Sequence, residues 1–314
     1  MRLGWLPLLV PLCGPLQAQR IITEDIPRFW EAYDSLATAK DRADSVACFQ
    51  RLYLDRASEG LKRFMKVRDL GAEHFADAAW HSAFWSSVRP NTLRIQERET
   101  AINAVLDHYE RELPGFTRPQ VCFAIGRLST GGTVSGSWIL IGSEIVCADS
   151  TTDTHELSSW LRSAMRPTDQ SVAFVAHEAV HTRQRIGPRA VWGMLTNRLR
   201  TQALMEGTAD LVAREVAGVS INEQLQAYGL AHEDSLWREF QVAMRGNDTS
   251  QWLYQGPASK DRPADLGYFM GERIAAAFYT AAADKNRALR VLLRTGSAGK
   301  VVRRSGYAPG SPAR

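Results

Sequence analysis

Residues 174–181 read FVAHEAVH, and this stretch decides how the rest of the chain is interpreted. His177 and His181 are four positions apart, so on a helix, which turns about 100° per residue, their imidazoles lie one turn apart on the same face. Two imidazoles placed in this way can bind one metal ion. Glu178 lies about 100° around the helix from His177, beside the ion, where a general base for a metal-bound water has to stand.

Signals on both sides of the motif predict where its helix begins and ends. Thr168, after Pro167, is a favourable N-cap, and Asp169 places negative charge in the first turn. Gly187, with Pro188 just beyond it, can end the helix. The positions beside the histidines are small or apolar, so we expect a buried helix whose polar side chains need partners. A solvated helix that carries two His and a Glu without a metal is the alternative.

Residues 206–210, EGTAD, complete the predicted site. Catalytic zinc needs three protein ligands and an open fourth position, and Glu206, 25 positions after His181, can supply the third ligand from a following helix. Asp210 shares the helix face of Glu206 and can accept the outer N–H of a ligand imidazole. Gly207 allows this helix to pack closely against a neighbour. Beside HExxH, a capping or surface acidic pair is the weaker alternative, so we predict one Zn²⁺ held by both histidines and Glu206.

These motifs resemble the gluzincin group of zinc metallopeptidases. The wider pattern resembles a family of bacterial envelope proteins, predicted zinc-dependent proteases related to the gliding-motility lipoprotein B. Two further stretches carry this resemblance, 131–133 (GGT) before an apolar strand and 266–271 (LGYFMG), and the matching pieces cover about residues 115–285. The chain departs from the pattern at Arg183, where the usual zincin helix has a hydrophobic residue.

The resemblance implies an α+β, predominantly helical, zincin-like fold in which the HExxH helix and the third-ligand helix lie beside a small β-hairpin or sheet. It also implies a zinc-dependent hydrolase, in the first place a peptidase. A zinc-bound water would attack a peptide carbonyl, and Glu178 would act as general base and then deliver the proton to the leaving amine.

In gluzincins a further Tyr or His from beyond the third ligand stabilises the oxyanion. His232, Tyr254 and Tyr268 are the candidates, and Tyr268 is favoured because two flanking glycines allow close approach. A Tyr packed in a helix interface is the alternative. The strand expected at 138–145 resembles the edge strand along which zincins align an extended peptide, and an ordinary core strand is the alternative there.

The expected partner is a peptide or protein substrate. Two other functions stay open. One is an envelope structural or interaction protein that has a zincin-like fold and a non-catalytic metal site. The other is zinc-assisted cleavage of an amide or ester in a non-peptide. A catalytic and a non-catalytic site would both contain metal, so metal content does not distinguish them. Replacing Glu178 does, because only a catalytic site needs this general base.

The composition is that of a globular protein, with 45% hydrophobic and 23% charged residues among 314. The formal net charge is only +4, with both signs present along the chain, which gives no reason to propose nucleic acid or an anionic membrane as a partner. No stretch after the N-terminus holds 18 consecutive apolar residues, so no transmembrane span is predicted.

Residues 1–18 are interpreted as a signal peptide. Arg2 supplies the positive charge, residues 3–12 form a short apolar core, and Ala18 offers a small residue at the cleavage position. We therefore expect an exported protein, periplasmic or secreted. Lipidation at Cys13 is less favoured, because the preceding Leu12 is not small.

Three further segments are predicted. Residues 19–114 form an N-terminal helical region, residues 115–300 the metallopeptidase region, and residues 301–314 a flexible tail. Cys48, Cys122 and Cys147 remain after the signal peptide, so at most one intramolecular disulfide can form. Cys122 with Cys147 is the more plausible pair, and buried free thiols are an equal alternative. The oligomeric state is left open.

Overall fold

The structure is a computed structural model that describes residues 21–256 and 262–309. The predicted signal peptide, including Cys13, lies outside the described residues, as do residues 310–314 of the predicted tail. The fold is predominantly helical with one small mixed sheet, which confirms the predicted α+β class.

Six helices make up most of the N-terminal region. They are α1 (Asp25–Asp34), α2 (Arg42–Phe49), α3 (Glu59–Arg68), α4 (Ala72–Ala78), α5 (Ser82–Leu93) and α6 (Glu99–Glu112). Side-chain caps begin two of them, because Asp41 and Ser58 accept the backbone N–H of the residue three positions on. One α-helix, α3, packs across three strands of the sheet, so the N-terminal region covers part of the sheet.

The sheet contains β1 (Ile21–Ile22), β2 (Gln120–Ala124), β3 (Gly132–Ser135) and β4 (Trp138–Gly142), in the order β1-β2-β4-β3. Strands β1, β2 and β4 run parallel to one another, and β3 runs antiparallel to β4 at the edge. The proposed edge strand, 138–145, is therefore an interior strand that ends at Gly142. The edge strands are β1 and β3, and β3, whose outer side pairs with no described strand, begins in the Gly-rich stretch 131–133.

Ten helices follow the sheet within the described residues. They are α7 (Ser143–Val146), α8 (Ser159–Ala164), α9 (Ser171–His181), α10 (Pro188–Thr196), α11 (Arg198–Ala217), α12 (Glu223–Ala231), α13 (Glu233–Ala243), α14 (Leu266–Thr280), α15 (Lys285–Leu292) and α16 (Ala298–Ser305).

Three predicted boundaries are wrong. The HExxH helix α9 begins at Ser171, because the Asp169 carboxylate accepts the Ser171 N–H at 2.8 Å, and it ends at His181, well before Gly187. The predicted tail begins too early, because residues 301–305 complete α16 and Val301 is buried. The apolar side of that helix turn holds it against the body of the protein.

Buried apolar side chains form two clusters. The first joins α1, α3, α5 and α6 to the sheet and to α9, and the second joins α13, α14 and α16. Two helices contribute to both clusters. Helix α11 has Ala209 in the first and Ala203 in the second, and α15 has Leu289 in the first and Ala288 in the second. Residue 114, the predicted boundary, does not separate two cores, because the first cluster runs from Ile26 through the sheet.

Cys48, Cys122 and Cys147 are all free thiols, so the disulfide considered for the last two is not formed. Cys122 lies in β2 beside Asp25 and Ser58 and is fully buried, as is Cys147. Burial raises the pKa of both thiols, which keeps them protonated and unreactive. The alternative of buried free thiols is confirmed.

Helices α11 and α14 cross in close contact at two glycines. A Cβ at Gly207 would collide with the backbone of Gly271 and Glu272, and a Cβ at Gly271 would collide with the carbonyl of Ala203. The prediction that Gly207 permits close packing is confirmed. Because backbone meets backbone here, a larger side chain has no rotamer that avoids the clash.

We expect Gly271→Ala to lower the free energy of unfolding by about 3 kcal/mol or more, because overpacking against backbone cannot be relieved by side-chain movement. Urea denaturation followed by circular dichroism measures this change. Gly299→Ala is the matched control, since Gly299 lies in α16 with only the ends of flexible arginines near its Cβ position. The control should be neutral or slightly more stable, and equal losses in both variants would contradict the assignment.

A buried carboxyl group holds the loop between β2 and β3. Glu144 is fully buried, and its side chain accepts the backbone N–H groups of Gly126 at 2.8 Å and Leu128 at 3.1 Å. Burial raises the pKa of this carboxyl group from 4.5 to about 7. The loop leads directly into β3, so Glu144 helps to set the position of the free sheet edge.

This shift predicts a pH dependence of stability. A carboxyl pKa that is higher in the folded state stabilises the fold fully below pH 4.5, and this stabilisation disappears as the pH rises through about 7. Between about pH 4.5 and about pH 8, the wild type should lose about 3 kcal/mol of unfolding free energy relative to Glu144→Gln. Denaturant titrations of both proteins across this range provide the measurement, and parallel curves would contradict the prediction.

Candidate metal centre

Helices α9 and α11 bring the three predicted ligands together. Nε2 of His181 lies 3.0 Å from Nε2 of His177 and 3.1 Å from Oε2 of Glu206, and His177 Nε2 lies 3.4 Å from the same oxygen. His177 and Glu206 are buried, and His181 is largely so. The donor atoms all lie within 4.8 Å of one another, so this buried group can hold one metal ion.

The outer nitrogens of both imidazoles have acceptors. Nδ1 of His177 lies 2.8 Å from Oδ1 of Asp210, and Nδ1 of His181 lies 2.8 Å from Oε1 of Gln184. The amide of Gln184 is oriented by its own donation to the Met205 carbonyl at 2.7 Å, which leaves its oxygen for His181. Both rings are therefore set to carry their proton on Nδ1.

The tautomer of the two imidazole rings determines whether the site suits a cation. With protons on Nδ1, two Nε2 lone pairs and the Glu206 oxygen all point into the same small space, and none of them is a donor. Such a set of acceptors repels itself unless a positive charge stands between its members. Two imidazole nitrogens and one carboxylate oxygen are also a donor set that zinc prefers. The residues present therefore fit one zinc ion.

The side chains behind the ligands form a chain of hydrogen bonds. The second oxygen of Asp210 accepts from Asn222 Nδ2 at 2.7 Å, so this carboxylate is fixed at both ends. Asp210 lies where its spacing from Glu206 predicts. Gln184 and Asn222 were not predicted: the position of Gln184, three residues after His181, was a usable signal, whereas Asn222 reaches the site only through the turn after α11.

The charges of the cluster shift one another. Burial would lower the pKa of His177, but Asp210 and Glu206 outweigh it and raise that pKa well above its usual value. Burial would raise the pKa of Glu206, but His181 and His177 hold it far below its usual range. Without a metal, the site therefore binds protons, and a metal ion must displace them.

Glu178 is buried, and its carboxyl group lies outside the group of three converging donors. It faces β3, where a Cβ at Gly132 would stand 2.7 Å from Oε1 of Glu178, and a Cβ at Gly131 would stand 2.5 Å from the ring of Phe174. The two glycines thus allow the free strand edge to approach α9 closely. Burial raises the pKa of the Glu178 carboxyl group, although both histidines oppose this.

The three candidate oxyanion donors differ in position. Tyr254 donates its hydroxyl group to Oε1 of Glu206 at 2.8 Å. Tyr268, the favoured candidate, stacks its ring on His177 with the centroids 6.2 Å apart. His232 stacks instead on Tyr228 and contacts the carbonyl of that residue, away from the cluster. Burial and the nearby Glu206 raise the pKa of the Tyr254 hydroxyl group, which keeps it a donor.

The N-terminal region also reaches the site, which the sequence did not predict. Arg68, the last residue of α3, donates to the carbonyl of Gly132 at 3.5 Å, and its Nε is buried without a partner. The positive charge of this guanidinium opposes the rise that burial causes in the pKa values of Glu178 and Tyr254. The site thus has a positive group on the side of the strand edge.

Comparisons of the chain with protein-family models, curated proteins and solved structures found no match. Among the described residues, no helix has both the length and the apolar character needed to cross a membrane.

We expect Asp210→Asn to weaken zinc binding about ten- to hundredfold, because the loss of this carboxylate leaves the imidazole of His177 less basic and less firmly oriented. Competition with a chromophoric chelator measures the affinity. Glu215→Gln is the control, since Glu215 lies on the same helix and is exposed. Equal zinc affinities in the two variants would show that Asp210 does not support a ligand.

Proposed function

We propose that this protein is a zinc-dependent hydrolase of the zincin type that cleaves a peptide bond. The observation that carries the proposal is the convergence of His177, His181 and Glu206 beside a buried carboxylate, Glu178, that faces a free sheet edge. A structural zinc site has no need of such a carboxylate, because it uses four protein ligands and leaves no position open.

The three ligands would hold zinc, which when bound supplies a Lewis acid that polarises a carbonyl group and acidifies a water. Glu178 then takes the proton of the attacking water and passes it to the leaving amine nitrogen. Its place on the face of α9 next to the ligands suits the carboxylate to both transfers.

The edge strand β3 can position the substrate. Its antiparallel partner β4 occupies one side only, so the other side can bind an extended peptide through main-chain hydrogen bonds. Because Gly132 lies against Glu178, a peptide bound there passes close to the general base. This support for a peptide substrate is independent of the ligand set.

We assign the oxyanion donor to Tyr254 in preference to Tyr268. The Tyr254 hydroxyl already lies against the carboxylate of Glu206, and this residue has a left-handed backbone (φ 56°). The Tyr268 ring packs flat against His177, which suits it to hold that imidazole in place. Export of the protein stays a prediction from residues 1–18.

We expect Glu178→Gln to keep zinc and stability but to lower the cleavage rate about a hundred- to ten-thousandfold, because the amide cannot accept the proton. A mixed peptide library incubated with the zinc-loaded protein and read by mass spectrometry supplies the assay. His177→Ala is the companion variant and should lose the metal as well.

If Glu178→Gln cleaves like the wild type, the assigned base is wrong. If the zinc-loaded wild type cleaves no peptide in the library, the alternative of an interaction protein with a non-catalytic metal site gains support.

A further inference from the structure

Helix α10 presents an apolar surface to solvent. Four large side chains on α10 and just before it are exposed by half or more, namely Ile186 (63%), Val191 (50%), Trp192 (68%) and Leu195 (65%). Val191, Trp192 and Leu195 follow helical spacing, so they share one face of α10. We call these four residues the α10 patch. Exposed apolar residues are common singly, but four within residues 186–195, one of them a Trp, are typical of an interaction surface.

Basic residues surround this patch without acidic partners. The segments 182–205 and 285–305 contain twelve Lys and Arg and no Asp or Glu. None of the twelve takes part in a salt bridge among the described residues. They are twelve of 38 basic residues, which leaves 26 to balance 34 acidic residues elsewhere. The small net charge therefore conceals a strong segregation of charge.

The two basic segments lie together in space. Arg185 donates its backbone N–H to the Leu293 carbonyl at 3.2 Å, and its own carbonyl accepts from Thr295. The Cβ position of Gly296 lies 2.8 Å from Cβ of Arg189 at the start of α10. Further along, guanidinium groups of Arg200 and Arg303 both lie 3.5 Å from the Cβ position of Gly299. The patch and its basic surroundings form one continuous surface.

We propose that this surface docks the protein onto a bilayer that contains anionic phospholipid. Exposed Trp and aliphatic side chains enter the boundary between headgroups and acyl chains, while surrounding Arg and Lys attract anionic headgroups. Neither contribution is strong alone, and interfacial anchors combine both. The α10 patch supplies the first, and the unpaired cations of the two segments supply the second.

A nucleic acid is the competing anionic partner, and the centre of the surface disfavours it. The aliphatic side chains of Ile186, Val191 and Leu195 cannot hydrogen-bond to a phosphate or a base edge. A site for single-stranded nucleic acid instead presents aromatic rings on which bases stack. These aliphatic side chains gain free energy only where water is excluded by other apolar groups, as at a lipid surface. A purely electrostatic site would not need them.

The test is co-sedimentation of the full chain with vesicles of phosphatidylcholine alone or mixed with phosphatidylglycerol. We expect binding to the mixed vesicles to exceed binding to the neutral ones and to weaken with added salt. Trp192→Ser with Leu195→Ser should lower binding at least tenfold. Trp80→Ser is the matched control, because Trp80 is 83% exposed outside the patch. Residues 1–20 are common to all these chains, so the comparison isolates the patch.

Replacing Arg185, Arg189 and Arg294 by Gln should lower binding to the mixed vesicles on the order of a hundredfold, at about fivefold for each charge near an anionic surface. Three outcomes would overturn the proposal. They are equal binding to neutral and mixed vesicles, binding unchanged by the Trp192 and Leu195 replacements, and binding to duplex DNA but not to vesicles. The readout needs neither zinc nor turnover, so it stands or falls separately from the proposed hydrolase.

Discussion

The structure depends on one electrostatic constraint, the meeting of three acceptor atoms in a buried space. Asp210 and Gln184 fix the protons of both imidazoles on their outer nitrogens, so the inner nitrogens and the Glu206 oxygen confront one another. Burying such a set costs free energy unless a cation compensates it. The hydrogen bonds that hold the set therefore make sense only if positive charge is supplied at its centre.

The same cluster lies where the two cores meet. The histidines lie on α9 in the first core, Tyr268 lies on α14 in the second, and α11 carries Glu206 and Asp210 between them. The crossing of α11 and α14 at two glycines fixes the position of α11. A metal bound across α9 and α11 would stabilise both cores together, since an ion that binds only the folded state adds its binding free energy to stability.

How much could be predicted from sequence depended on how local each feature is. The spacing of His177 from His181 is a property of one helix, and that of Glu206 from Asp210 is a property of another. The structure places these side chains as the spacing requires. The free edge at β3 was missed because a short Gly-rich strand has no apolar alternation to mark it. Asn222 and Arg68 reach the site only through tertiary packing, which no spacing records. The net charge of the whole chain hid the basic surface, because basic residues in one part of the chain and acidic residues elsewhere cancel when their charges are summed.

The way β1 and α3 join the sheet bears on how the protein can be dissected. Ile21 and Ile22 extend the sheet beyond β2, and α3 covers the strands and ends at Arg68 beside Gly132. A fragment that began at residue 115 would retain every candidate metal ligand but would expose the apolar side of three strands to water. Such a truncated protein would aggregate through those strands, so the smallest autonomous unit includes the N-terminal helices.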